Sequence, residues 1–211
     1  MARYTGPKCR YCRAERTKLF LKGDRCLSSK CPMNDIKTTG TPGKDPRARS
    51  KKPTNYGLQL REKQKLKRTY CMLEKQFKLF FNEAARIPGK TGENLIMLLE
   101  QRLDNVVFRL HFASSRNQAA QLVNHGHILV NGKRVDIPSY RLRPGDEVEV
   151  APRAKKNPVI RANVEERRRG KLSPWLEFDP ETLKGRFLHR PAREDIVVPV
   201  NELQVIEYYS R

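Results

Sequence analysis

From residue 55 onward the apolar positions fall at helical spacing. In NYGLQLREKQKLKRTY and MLEKQFKLFFNEAAR they recur every three or four residues and place Leu73, Phe77, Phe80, Phe81 and Ala84 on one face. The pattern predicts two helices broken near Cys71, the second stopped at Ile87-Pro88-Gly89. A third apolar helix is predicted over about 93–111, burying Leu95, Leu99, Leu103, Val106, Val107 and Leu110. Ser115 with Gln118 three positions on is a capping-box signal, so a short helix starts there and stops at Gly126. The period then changes to two. HILVNGKRV alternates around Asn131-Gly132, a strong hairpin signal, and Pro144-Gly145-Asp146 turns into a third strand, EVEVA. Two helices and a small sheet are thus predicted to share one core. After Ala151 the pattern loosens, and the stretch from Trp175, with DIVVPV and LQVIEYY, reads as an ordered but irregular tail.

Composition limits what this core can be. With 211 residues and 37% hydrophobic positions, one or two domains with a modest core are expected. The longest aliphatic run, Leu95 to Leu99, is far short of the ~18 residues that span a bilayer, and MARYTGPKCRYC lacks a secretory leader's apolar stretch. The expectation is a cytoplasmic protein with reduced thiols and no membrane contact. Charge says more. Lys and Arg number 44 against 23 Asp and Glu, a formal net charge of +21, which points to a polyanionic partner and away from a small-molecule substrate. Residues 1–53 hold fifteen basic and four acidic side chains, so more than half of the excess lies in an extended basic arm.

Inside that arm, Cys9, Cys12, Cys26 and Cys31 stand as C-x2-C, thirteen residues, then C-x4-C, close to zinc-ribbon spacing. Four thiolates suit one tetrahedral structural Zn²⁺, and Lys8, Arg10, Arg13, Arg25 and Lys30 would offset the site's negative charge. An iron–sulfur cluster and unligated thiols are the alternatives. Cys71 stands apart at the helix junction.

The compact unit has the chemistry of an RNA surface. Arg116 lies in the first turn of its short helix, where a phosphate would meet both the guanidinium and exposed backbone amides. Lys133 and Arg134 extend from the Asn131 hairpin, and Arg141 and Arg143 from the next connection, so the group shares one rim. His125 and His127 flank Gly126, where either could stack on a base or donate to a phosphate. In the basic helix, Arg61, Lys63, Lys65, Lys67 and Arg68 surround a thin stripe of Leu58, Leu60 and Leu66. Arg3, Lys8, Arg10 and Arg13 of the opening segment, and Arg47, Arg49, Lys51 and Lys52 of the arm, complete the candidate RNA contacts.

The stretches RLDNVVFRL and SRNQAAQLVNHGHILVNGKRVDIPSYRLRPGDEV closely resemble the small RNA-binding fold shared by ribosomal protein four of the small subunit and several RNA-modifying enzymes. ARYTGPKCRYC, NYGLQLREKQKLKR, GENLIMLLEQRLDNVV, PWLEFD and PVNELQVIEYYSR resemble the bacterial ribosomal protein four family in the same order over essentially the whole chain. The resemblance implies direct binding to the 5′ domain of small-subunit rRNA and nucleation of subunit assembly. It implies a basic arm, here Arg47, Arg49, Lys51 and Lys52, near the mRNA entry site. It also implies a contact with ribosomal protein five, through the region after Tyr56 and the C-terminal apolar segment, that bears on decoding accuracy. There are departures. Pro42-Gly43-Lys44-Asp45-Pro46 stands where relatives usually have a PGQHG-like stretch, and Cys71 replaces a usual glycine, so a left-handed residue there would be strained.

The expected architecture is α+β: a mostly helical domain with a zinc-knotted N-terminal arm and an inserted RNA-binding module of two helices and a short sheet. Boundaries are expected at 1–45 for the cysteine segment, 99–164 for the module, and 46–98 plus 165–211 for the helical domain with its irregular tail. Two other readings are an RNA-modifying enzyme carrying the same module and a zinc-containing DNA-binding regulator. Residues 164–211 are too few for a catalytic domain, no nucleophile set or phosphate loop stands out, and no recognition helix with a dimerisation element is evident.

Overall fold

The computed structural model describes residues 4–34, 40–43, 52–167 and 172–210. The chain forms two compact units, Met1–Leu95 with Val198–Arg211, and Ile96–Val197.

The first unit begins with α1 (Cys9–Glu15), which ends at a left-handed Arg16, and a 3-10 turn at Gly23–Cys26. Leu19, Leu21 and Met33 pack with Cys12 and Cys31 into a small core, and Tyr11 and Cys71 rest against it. Helix α2 (Asn55–Thr69) starts where the Thr54 side chain accepts a hydrogen bond from the Gly57 N–H. It stops at Tyr70-Cys71, with Cys71 at φ 56°, so the strained left-handed junction foreseen from the sequence is present. Helix α3 (Glu74–Ala84) buries Phe77, Phe80, Phe81 and Ala84, whereas Leu73, expected on the same face, sits at the N-cap and is 40% exposed. The last helix of the chain, α8 (Glu202–Tyr209), packs along α2. The Phe81 and Tyr209 rings stack at 4.5 Å.

Helix α4 (Thr91–Glu100) leads into the second unit, and the single helix predicted over 93–111 is in fact two, α4 and α5 (Leu103–Arg109). The break has a physical cause at Arg102. That residue is extended and buried, its guanidinium holds both carboxylate oxygens of Asp104 at 3.0 and 2.6 Å, and its backbone bridges to Arg141. The backbone groups released by the break find partners in the same segment. Leu142 N–H donates to the Gln101 carbonyl at 3.0 Å and Leu103 N–H to the Tyr140 carbonyl at 2.8 Å. The six apolar residues expected inside are all buried, so the pattern found the face but not the interruption.

Helix α6 (Arg116–Asn124) follows, then β1 (Ile128–Val130), β2 (Lys133–Arg134), β3 (Glu147–Val150), α7 (Pro158–Arg167), β4 (Leu176–Asp179) and β5 (Lys184–Phe187). Asn131 at φ 50° and Gly132 at φ 74° make the predicted tight hairpin between β1 and β2. The predicted small sheet has five strands in the order β2-β1-β3-β5-β4, all neighbours antiparallel. The tail is therefore irregular only between Leu188 and Asn201. Residues 172–187 supply two strands to the module's own sheet, and 165–197 lie in the second unit instead of the helical domain. Gly185 explains the fit, because a Cβ there would lie 2.5 Å from the Leu110 side chain of α5. Trp175, Phe187, Phe112 and Ile128 are fully enclosed in this unit's core. Among the described residues no helix is long and apolar enough to cross a membrane.

Candidate nucleic-acid interface

Two exposed cations of the second unit lie where the hairpin meets the end of α6. Lys133 and Arg134 form the exposed edge strand β2. Gly126 closes α6 at φ 68° and leaves room for Arg134, whose Nε would lie 2.0 Å from any Cβ at that position. His125 and His127 flank this glycine, their rings edge to face at 5.9 Å. Arg143 is exposed and Arg141 half-buried. Four of the predicted RNA contacts, His125, Lys133, Arg134 and Arg141, thus lie in one sheet-and-helix framework, and the first three share an exposed end of it.

Two others are used internally. Asn131 donates from Nδ2 to Asp146 Oδ1 at 2.9 Å and accepts the Glu147 N–H at Oδ1, also at 2.9 Å, so its amide locks the turn. Arg116 donates from Nε to Asn105 Oδ1 at 2.7 Å, and its guanidinium lies 4.7 Å from the Phe108 ring centroid. Arg116 and Asn105 sit beside Glu100, a fully buried carboxylate that receives Arg109 at 2.8 and 3.0 Å and Asn105 Nδ2 at 2.6 Å. The expected phosphate seat is therefore occupied by the protein's own carboxylate. Ser115 accepts the Gln118 N–H as the capping box requires, but Gln118 Oε1 receives the Ser114 N–H and hydroxyl at 2.6 and 2.8 Å, moving the reciprocal half one residue back.

The basic helix α2 corrects the sequence reading more strongly. Lys63 is 2% exposed, donates to Glu74 at 2.6 Å and lies over the Tyr208 ring at 4.6 Å. Lys67 and the Tyr209 hydroxyl also donate to Glu74, at 2.7 and 2.9 Å. Burial works to raise the Glu74 pKa, but hydrogen bonds from Lys63, Lys67 and Tyr209 outweigh it and hold the carboxyl at about 2. Arg61 and Arg68 both pair with Glu15 of α1, and Lys65 pairs with Glu62. Burial pushes the Glu15 carboxyl up, opposed by Arg68 and then Arg61. Arg61, Lys63, Lys65 and Arg68 thus serve first as internal partners. Glu15 and Glu74 were missed as neutralisers, since Glu15 lies 46 and 53 positions from its two arginines and no local pattern links them.

At the N-terminal end, Arg10 and Lys52 are exposed, Arg13 is half-buried, and Lys8 donates to the Tyr4 carbonyl at 2.6 Å. Arg3, Arg47, Arg49 and Lys51 lie outside the described residues. Cys12, Cys26 and Cys31 are buried and Cys9 half-buried. The Cys26 sulfur accepts the Lys22 N–H at 3.3 Å, and the Cys12 sulfur accepts the Leu19 N–H. Burial raises both thiols, and the neighbouring cysteines add to the rise. Four mutually sensed thiols with backbone donors suit a thiolate-binding metal chemically. Among the described residues, however, no group of three or more His, Cys, Asp or Glu side chains is drawn close enough to hold an ion. Cys71, read as standing apart, packs against the core that contains Cys12 and Cys31.

Comparison with known proteins accounts for the whole chain. Residues 3–100 match the family described as Ribosomal protein S4/S9 N-terminal domain, and residues 101–148 match the S4 domain. The small ribosomal subunit protein uS4 of Thermus thermophilus is 54% identical over 211 residues, all of both chains. Those of Thermoanaerobacter pseudethanolicus and Geotalea daltonii are 52% and 49% identical, again over the full length of both.

Proposed function

The chain belongs to the uS4 family of bacterial small-subunit ribosomal proteins, and on that premise we propose that it binds the 5′ domain of small-subunit rRNA directly and nucleates assembly of the subunit. It is a structural, rRNA-binding component of the small ribosomal subunit and not an enzyme. Its contacts extend, in this proposal, to ribosomal protein five and to mRNA at the entry site, the latter through the segment that ends at Lys52. Through these contacts it bears on decoding accuracy. The observation that carries the rRNA reading is the exposed β2 edge, where Lys133 and Arg134 lie beside His125 and, among the described residues, pair with no carboxylate. A-form RNA hides its base edges in a deep groove, so cations on a rigid edge read backbone shape at a junction. Cys9, Cys12, Cys26 and Cys31 would hold one structural Zn²⁺, whose binding would supply folding energy to a segment with little core of its own.

The test uses the full chain, a transcript of the 5′ domain and duplex DNA of equal length across a salt series. The RNA should bind tighter, with log affinity falling by somewhat under one unit per log unit of salt for each phosphate contact. Preference for the duplex, or an affinity insensitive to salt, would overturn the proposal.

A further inference from the structure

Phe20 lies in the cysteine segment between two anchors, Leu19 at 3% and Leu21 at 5% exposure, yet is itself 49% exposed. Its backbone is left-handed, φ 50°. For a bulky aromatic residue this is an outlier, and such strain persists where the surroundings enforce it and clusters at sites of function. The enforcement is visible. Both neighbours are fixed in the small core, and the Leu19 N–H is committed to the Cys12 sulfur while the Lys22 N–H is committed to Cys26. The chain thus turns Phe20 outward between buried positions that hold it there.

The chemistry around the ring is cationic. Lys18 and Lys22 stand two residues before and after it; Lys22 is exposed, and the half-buried Lys18 donates to the neutral Asn34 amide at 2.6 Å and, among the described residues, pairs with no carboxylate. Arg25 follows, exposed, in the 3-10 turn. Among the described residues the Phe20 ring has no aromatic or cationic partner, whereas Tyr4, Tyr11, Tyr56 and Tyr208 each have one. An open ring bracketed by cations is what unpaired nucleotides select, the base stacking on the ring and the adjoining phosphates meeting the cations.

We propose that Phe20 is a stacking platform for an unpaired base of the bound rRNA, with Lys18 and Lys22 holding the phosphates on either side. The inference rests on the rRNA reading above and assigns the cysteine segment a task separate from the proposed zinc site.

The test measures affinity of the full-length protein for the 5′-domain transcript in Phe20→Leu, Phe20→Asn and Phe20→Tyr variants. Asparagine tolerates the left-handed backbone, so Phe20→Asn keeps the fold if leucine does not. Leu and Asn should weaken binding about tenfold at fixed salt with the log–log salt slope unchanged, while Tyr stays within about twofold of the parent. Lys18→Gln with Lys22→Gln should instead lower the slope, by about 1 to 2 in all. Zero-length ultraviolet crosslinking of the parent should attach a nucleotide to the peptide containing Phe20. Unchanged affinity in both Leu and Asn variants, or loss with Tyr equal to that with Leu, would overturn the proposal while leaving rRNA binding intact. Failure of the parent protein to prefer the transcript would remove the underlying reading instead.

Discussion

Helix α2 and the β2 edge are both short, strongly basic stretches, yet they use their charges in opposite ways. On α2, five cations meet Glu15, Glu62 and Glu74 within the first unit, and Lys63 is buried nearly as deeply as Leu66. On β2, Lys133 and Arg134 stand exposed at the end of a sheet. A count of basic residues therefore measures the potential for anion binding, and the carboxylates brought near by folding decide how much of it remains. The arginine at the head of α6 repeats the lesson, because Glu100 draws it inward.

The comparison breaks most readily at the cysteine segment, which α2 holds through Glu15. If the four thiols bind zinc, chelation or Cys26→Ser removes on the order of 10 kcal/mol of local folding energy. Limited proteolysis should then cut within residues 4–34 while the second unit stays protected; equal protection of the cysteine segment with and without chelator would show that it folds on its own.

Next in size is the exposed edge. Lys133→Ala with Arg134→Ala should lower affinity for the 5′-domain transcript ten- to a hundredfold and reduce the salt slope by about 1.5. The melting temperature should not move. An unchanged slope would take both residues out of the interface.

Lys63→Met should show the converse. Removing one member of a buried ion pair costs roughly 3–5 kcal/mol, but Glu74 is half exposed, so screening reduces the loss to about 1–2 kcal/mol. Chemical denaturation should register it, while rRNA affinity of the folded protein stays within about twofold.

Acid sharpens the same point. Glu74 is held at about 2, below its usual carboxylate range, so its ion pairs stabilise the fold fully above the unfolded value of 4.5. That contribution is lost as pH falls from 4.5 towards 2, and Glu74→Gln should flatten the stability curve across this window.

The smallest effect belongs to Cys71→Gly. Relief of the left-handed backbone is worth about 1 kcal/mol, partly offset by lost packing against the cysteine core, so the melting temperature should rise by about 1–3 °C.

Much of this was legible in the chain itself. The Asn131-Gly132 hairpin, the Gly126 stop, the Ser115 cap and the buried faces of α3, α4 and α5 follow from turn stereochemistry and helical period, which act over a few residues. The family was legible too, in the collinear stretches that run from end to end. The candidate site was less so. His125, Lys133 and Arg134 are exposed as their place in the pattern suggests, whereas Arg116, Asn131 and the α2 cations, read as facing outward, have partners within the protein.

Sequence alone determined the α+β class, the local turns and helix faces, the basic excess and the cysteine spacing, because each depends on covalent neighbours or on a repeat of two to four residues. Only the tertiary structure decided that α4 and α5 part at Arg102, that β4 and β5 complete a five-stranded sheet, and that Glu15, Glu74 and Glu100 neutralise particular cations. Those outcomes depend on Coulomb attraction and side-chain packing, which act through space with no regard for the number of residues between the partners.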